Sequence, residues 1–254
     1  MKFVGIDLAW TYKNETGICI LDESNNIVHL SADLYDDHNL IDIIRSAMVE
    51  PNERVIISVD LPLIVNNDTG HREADLEVIR DRIHGQKLRL LATNKQFMNK
   101  QFSCIRGENL MTLFKSTLNG KLLTRKSDLH SDVDAVIFET FPTGIYLGLF
   151  PDLYMNKYKL SSRLSLEVLK SNMTDLLLEI NKSRFIKNLL DYFPQDLINN
   201  SFKKKNYKLL EDSLDALLCA LISSLSISNT SSFKFYGSGN NGLIVLPKEK
   251  PQGF

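Results

Sequence analysis

The first 60 residues predict a mixed α/β sheet flanked by helices, built in the order β-β-β-α-β. Three observations carry that class. Short apolar runs at 3–8, 17–21 and 27–32 read as strands. Leu40, Ile43, Ile44, Ala47 and Met48 then recur at helical spacing and give a helix one apolar face. Val55-Ile56-Ile57-Ser58-Val59-Asp60 returns to a nearly continuous apolar run, the mark of a strand buried on both faces.

The elements follow in order. The turn cluster Asp22-Glu23-Ser24-Asn25-Asn26 joins the second and third strands, so the opening reads as an antiparallel meander. Pro51-Asn52 is expected to end the helix. The fourth strand, reached through that helix and stopped by Leu61-Pro62, is expected parallel to the first. Residues 71–84 look helical, with Gly85 as their C-terminal stop, and a further helix lies near 108–118. Val133 to Glu139 is a fifth strand, ended by Phe141-Pro142. From about 161 to 228 the text is mostly helical, with a break at Pro194. Ser232 to Tyr236 and Leu243 to Leu246 are late strands. These readings make one domain over 1–254, with insertions at about 61–130 and 143–205.

Composition narrows the function classes. The chain has 254 residues, 43% hydrophobic and 24% charged, which is enough apolar side chain to bury a core and excludes disorder as the main state. Lys+Arg total 30 against Asp+Glu 31, a net charge of −1, so any nucleic-acid partner must be held by a local patch. No apolar run approaches the roughly 18–20 residues of a membrane span. Asp7 comes too early for a signal-peptide core. Cys19, Cys104 and Cys219 are odd in number and widely spaced, and they form no C-x-x-C. Free thiols in a reducing, cytoplasmic compartment are expected, with no zinc site and no membrane. Oligomeric state is left open.

Acidic residues stand where strands end. Asp7, Asp60 and Glu139 each close an apolar run, where burial costs free energy unless the carboxylate is paired or binds a metal. Parallel strands open their C-termini on one edge, so the three can converge there. Asp212 and Asp215, at i and i+3, share one face of the last long helix. Small residues nearby, Cys219 and Ser223, would let that helix approach a sheet closely. Converging carboxylates repel one another, and hard divalent cations relieve this, Mg²⁺ or Mn²⁺ above all. Two such ions suit in-line hydrolysis of a phosphodiester. The competing reading makes each strand-end acid a turn former or helix cap, and the aspartate pair a solvated helix face.

At these residues the chain resembles the bacterial and archaeal family of predicted nucleases with an RNase H-like fold, domain of unknown function 429. The matching pieces are Gly5-Ile6-Asp7-Leu8-Ala9-Trp10, Val59-Asp60-Leu61-Pro62-Leu63, Arg72-Glu73-Ala74-Asp75, Glu139-Thr140-Phe141-Pro142, the stretch from Asp212 to Ala220, and the closing Gly242 to Pro247. The resemblance implies an RNase H-like sheet and a metal-dependent nuclease-type site at Asp7, Asp60, Glu139, Asp212 and Asp215. It implies that Asp7 bridges two ions, that Asp60 or Glu139 completes one shell, and that Asp215 with Asp212 completes the other. Asp212 and Asp215 also look like the aspartate pair of Holliday-junction resolvases. Arg72 and Asp75 match a recurrent pattern without a derived role, and an ion pair at i, i+3 is their plain reading.

Other motifs mislead. Gly237-x-Gly-x-x-Gly242 has the dinucleotide spacing, but a strand follows it, so a glycine-rich hairpin loop is the better account. Gly5-Ile6-Asp7 is also similar to the opening of actin-like ATPases and sugar kinases, yet Ala9-Trp10-Thr11 replaces their glycine-rich turn. Lys203-Lys204-Lys205 with Lys208 reads as a solvated loop that could hold a phosphate backbone. Lys87 to Arg106, interleaved with Phe97 and Phe102, could serve a single strand by stacking. Three functions are therefore carried forward. The first is a Mg²⁺- or Mn²⁺-dependent nuclease on nucleic acid. The others are a non-catalytic nucleic-acid or protein binding module, and a hydrolase of a small phosphorylated compound.

Overall fold

β1 (Lys2–Asp7), β2 (Thr16–Leu21) and β3 (Ile27–Asp33) pair antiparallel in chain order, as the meander requires. The computed structural model describes residues 1–50, 53–193, 197, 203–239 and 241–254. Asp22 closes the β2–β3 turn by accepting from the Ser24 and Asn26 amides, each at 2.9 Å. α1 (Asp37–Ala47) starts at Asp36, whose carboxylate accepts from the Asn39 amide at 2.7 Å. It leads to β4 (Val55–Val59), parallel to β1 with Ile6 beside Val59.

The chain then inserts α2 (Glu73–Arg80), α3 (Lys95–Phe102), α4 (Arg106–Leu118) and the short β5 (Gly120–Leu122) before β6 (Ala135–Glu139), which runs parallel to β4. α5 (Pro142–Leu149), α6 (Leu166–Ser183), α7 (Leu189–Tyr192) and α8 (Lys204–Ser228) follow. β7 (Phe233–Gly237) and β8 (Leu243–Pro247) close the sheet as a hairpin, with Gly237 opposite Leu243. The strand order is β3-β2-β1-β4-β6-β8-β7, with β5 beside β6. This is the mixed α/β sheet flanked by helices that the opening residues predict. The glycine-rich segment is a hairpin loop.

Several boundaries differ from expectation. α1 ends at Ala47, before Pro51, which with Asn52 and Pro194 lies outside the described residues. α2 stops at Asp81, not Gly85, because the Asp81 carboxylate reaches across to Lys234 Nζ and Tyr236 Oη on β7. Three-residue β5 is too short and polar to leave a periodic signal. Arg106 is fully buried and no part of a basic surface. Its Nε donates to Asp37 at 2.9 Å and its Nη atoms to the Ala9 and Tyr35 carbonyls. Phe102 stacks on Trp10 with ring centroids 5.0 Å apart, and Phe97 meets Phe102 edge-on. Those aromatics are committed to a small apolar cluster with Val65, Met98 and Ile105.

Two apolar layers sandwich the sheet. α1 and α4 cover one face, and α8 lies along β1 and β2 on the other. From Glu211 to Ser226 every residue of α8 is buried. Close approach makes this possible, since a β-carbon on Gly5 would fall 2.1 Å from the Ala216 carbonyl oxygen, and one on Gly17 would fall 2.1 Å from that of Asp212. Ser58 Oγ donates to the Cys219 carbonyl at 2.7 Å and Ser223 Oγ to that of Val4 at 2.8 Å, tying helix to sheet. Gly5→Ala therefore has to push the α8 backbone outward. It is expected to lower unfolding free energy by about 3 kcal/mol, the upper end of overpacking costs, as read from urea denaturation. No helix among the described residues is long and apolar enough to cross a membrane.

Candidate functional site

Parallel pairing brings the strand-end acids to one edge, and the pleat then sorts them. Ile6, Val59 and Glu139 share a register level. Registered residues of neighbouring strands point to the same face, and successive residues alternate. Asp7 and Asp60 each stand one residue further on, so they turn to the α8 face, and the Asp60 amide donates to the Ile6 carbonyl at 2.8 Å. Glu139 keeps the parity of Ala135 and Ile137, which belong to the face opposite α8.

On the α8 side, Asp7, Asp60, Asp212 and Asp215 line one cavity of about 500 Å³. Six acidic side chains line it, Glu15 and Glu211 included, against two lysines, Lys159 and Lys208. Asp215 is held on both oxygens: Tyr158 Oη donates to Oδ1 at 2.6 Å, and Lys159 Nζ lies 2.6 Å from Oδ2. Lys208 Nζ sits 2.6 Å from Asp212 Oδ1 and 2.9 Å from Glu211 Oε1. The Leu160 amide donates to Glu211 Oε2, so the loop carrying Tyr158 and Lys159 is pinned to α8. Asp212 Oδ2 is buried with no hydrogen-bond partner among the described residues.

The electrostatics follow from that surplus of negative charge. Burial, then Asp215 and Asp60, push the Asp7 carboxyl well above the usual range, only partly offset by Lys159. Burial pushes Asp60 up to about 7, with Lys159 opposing and Asp215 adding to the shift. Asp212 is raised by burial against the pull of Lys208. Burial alone would lower the Lys159 ammonium, but Asp215, Asp7 and Asp60 raise it, so it stays charged. Burial, then Asp60 and Asp7, hold Cys219 as a neutral thiol.

These shifts fix a pH dependence. Between pH 4 and about 7 the folded protein keeps a proton on Asp60 that the unfolded chain releases, so stability falls as pH rises through this window. The Asp60 contribution alone is up to about 4 kcal/mol, and Asp7 acts in the same direction. Lys159, raised from an already high value, is charged throughout and adds no slope here. Metal-free protein in EDTA is thus expected to show a higher urea midpoint at pH 5 than at pH 8.

Glu139 does not join the four aspartates. Arg72 Nη1 donates to its Oε1 at 2.9 Å, Arg72 Nη2 lies 2.8 Å from its Oε2, and the Leu63 amide also donates to Oε1. The same guanidinium binds Asp75 at 2.8 Å, so the expected i, i+3 pair is present within a buried triad. Its oxygens are engaged by Arg72 and Leu63 at a register position facing away from α8, and Glu139 lines another cavity that it shares with Asp60.

Sequence reasoning missed Lys159 and Tyr158, and it read Lys208 as part of a solvated loop where the structure places it in α8, paired with Glu211 and Asp212. Lys208 precedes Glu211 and Asp212 at i+3 and i+4, a spacing that marks it as their partner. Lys159 and Tyr158 lie in an unpatterned loop with no local signal. Lys204 and Lys205 open α8 and are exposed. Cys19 and Cys219 are buried free thiols, and Cys104 is a partly buried one.

The donor set is all oxygen and carries more negative charge than its lysines cancel. An orphaned buried oxygen on Asp212 adds to this, and the chemistry is that of a hard divalent cation. Among the described residues, however, no group of three or more His, Cys, Asp or Glu side chains is arranged to hold a metal ion. Lys159 occupies the cationic role at Asp215 instead. A family model described as "Protein of unknown function (DUF429)" matches residues 5–226, a stretch that contains all five candidate acids. No curated protein and no solved structure matches the chain.

Proposed function

The chain belongs to the DUF429 family of proteins of unknown function, and from that premise we propose that it is a divalent-cation-dependent phosphodiester hydrolase acting on nucleic acid. The observation that carries this reading is the convergence of Asp7, Asp60, Asp212 and Asp215, from three separate elements, on one cavity with uncancelled negative charge. The β-β-β-α-β order, with β4 parallel to β1, is the core that an RNase H-like fold calls for. It supports treating the chain as one such domain, with insertions between β4 and β6 and between β6 and α8.

Asp7, Asp60, Asp212 and Asp215 would hold Mg²⁺ or Mn²⁺. A bound ion of this kind lowers the pKa of its water and offsets charge on a phosphodiester. Asp7 lies within electrostatic reach of both Asp60 and Asp215, so it would hold an ion jointly with them. Tyr158 fixes the orientation of Asp215. Lys159, permanently charged at the rim of the acids, presents donors to a phosphate oxygen. Trp10 and Asp60 continue the wall into a neighbouring cavity that also contains Arg89 and Phe141.

Melting curves test the reading. Mn²⁺ at about 100 times its dissociation constant adds about 2.7 kcal/mol, or roughly 5–10 °C for a chain of this size. Hydrolysis of an oligonucleotide in Mn²⁺, compared with a mononucleotide, separates a nuclease from a hydrolase of small phosphorylated compounds. An unmoved wild-type midpoint counts against the hydrolase. The Lys159–Asp215 pair favours a second reading, a binding module whose acids are neutralised internally. That module would bind nucleic acid in EDTA and leave it intact when Mn²⁺ is added.

A further inference from the structure

Beyond Lys159 lies a second cavity of about 520 Å³, which shares that lysine with the acidic one but is lined by a different set of side chains. Its walls include Tyr154, Met155, Lys157, Arg163 and Leu164, and among the described residues no acidic one lines it. Lys157 and Arg163 form no ion pair among the described residues; Lys157 Nζ rests 3.2 Å from the centroid of the Tyr154 ring. The hydroxyl of Tyr158 is engaged by Asp215, and that of Tyr146 by the Asn156 carbonyl at 2.9 Å, so both rings present hydrocarbon to the cavity. Asn172 Nδ2 donates to the Lys157 carbonyl at 2.8 Å and holds the loop in place before any ligand arrives.

We propose that this cavity is a subsite for single-stranded nucleic acid, taking an unpaired base against Tyr154 and the flanking phosphates at Lys157 and Arg163. The proposal rests on the hydrolase reading for its link to the acidic site, which Lys159 joins to this cavity. The chemistry is that of a ligand with a flat aromatic body and negative charge. Cations with no acidic partner among the described residues, beside an aromatic wall, meet both demands, since bases stack on rings whatever their sequence and phosphates seek Lys and Arg. The volume suits one nucleotide, within the roughly 300–1,000 Å³ range of small-ligand sites. A duplex keeps its bases stacked inside and cannot place one here.

The experiment is fluorescence anisotropy of a labelled oligo-dT and of the matching blunt duplex, in EDTA, across a salt series. Wild type is expected to bind the single strand at least about tenfold more tightly than the duplex. Tyr154→Ala is expected to weaken binding at least about fivefold with the salt slope unchanged, and Tyr154→Phe to restore it. Lys157→Gln with Arg163→Gln should make the log–log salt slope shallower by about 1.4, the loss of two phosphate contacts on a single strand. Equal affinity for duplex, no binding by wild type, or variants of wild-type affinity and slope would each overturn the proposal. Hydrolysis in Mn²⁺ separates the two readings. Wild-type binding without turnover removes the hydrolase and leaves the subsite standing. Turnover with an unchanged KM in Tyr154→Ala removes the subsite and leaves the hydrolase.

Discussion

Asp7→Asn is expected to cut Mn²⁺-dependent hydrolysis by more than about 100-fold, beyond what losing an outer-shell partner of a metal ligand costs, while raising the melting point of the metal-free protein. The two effects share one cause. Burial and the neighbouring Asp215 and Asp60 carboxylates disfavour the charged form of Asp7, and the amide removes that charge without changing shape. Each kcal/mol so relieved raises the midpoint by about 2–4 °C in a protein of this length. The rise is expected at pH 8 and should shrink as pH falls and the folded protein takes up a proton at Asp7. Calorimetry in EDTA at both pH values reads it directly. A lower midpoint at pH 8 would mean that the acids are not in conflict, and the charge argument for a cation would lose its basis.

Arg72→Ala is expected to be the most destabilising of the substitutions considered, by about 3–5 kcal/mol in urea unfolding, because it strands Glu139 and Asp75 as buried charges without a counter-ion. Adding Glu139→Gln to that variant should recover part of the loss. Glu139→Gln alone should leave the Mn²⁺-induced melting shift unchanged, since its carboxylate faces Arg72 and not the aspartates. A reduced shift would return Glu139 to the metal site. A cost below about 1 kcal/mol for Arg72→Ala would show that the triad is solvated.

Much of this was legible in the chain. Apolar runs ending in Asp7 and Asp60 marked two neighbouring parallel strands, and the i, i+3 spacing of Asp212 and Asp215 placed both on one turn of a helix. The small residues of that helix announced its close packing, which Gly5 and Gly17 complete. Arg106, read as part of a basic run, misled, because a cation in a sequence looks the same whether it faces solvent or, as here, Asp37 and three backbone carbonyls.

The order of elements and the acids at the sheet edge are written locally, in hydrophobic periodicity and strand ends. Which face each acid takes, and which cations answer it, follows from long-range packing. A strand alternates its side chains every residue, so a difference of one position in register sends Glu139 to Arg72 and Asp60 to Asp7. Lys159 reaches Asp215 across 56 positions of chain through a loop without pattern, and such a meeting is fixed only when the whole fold closes.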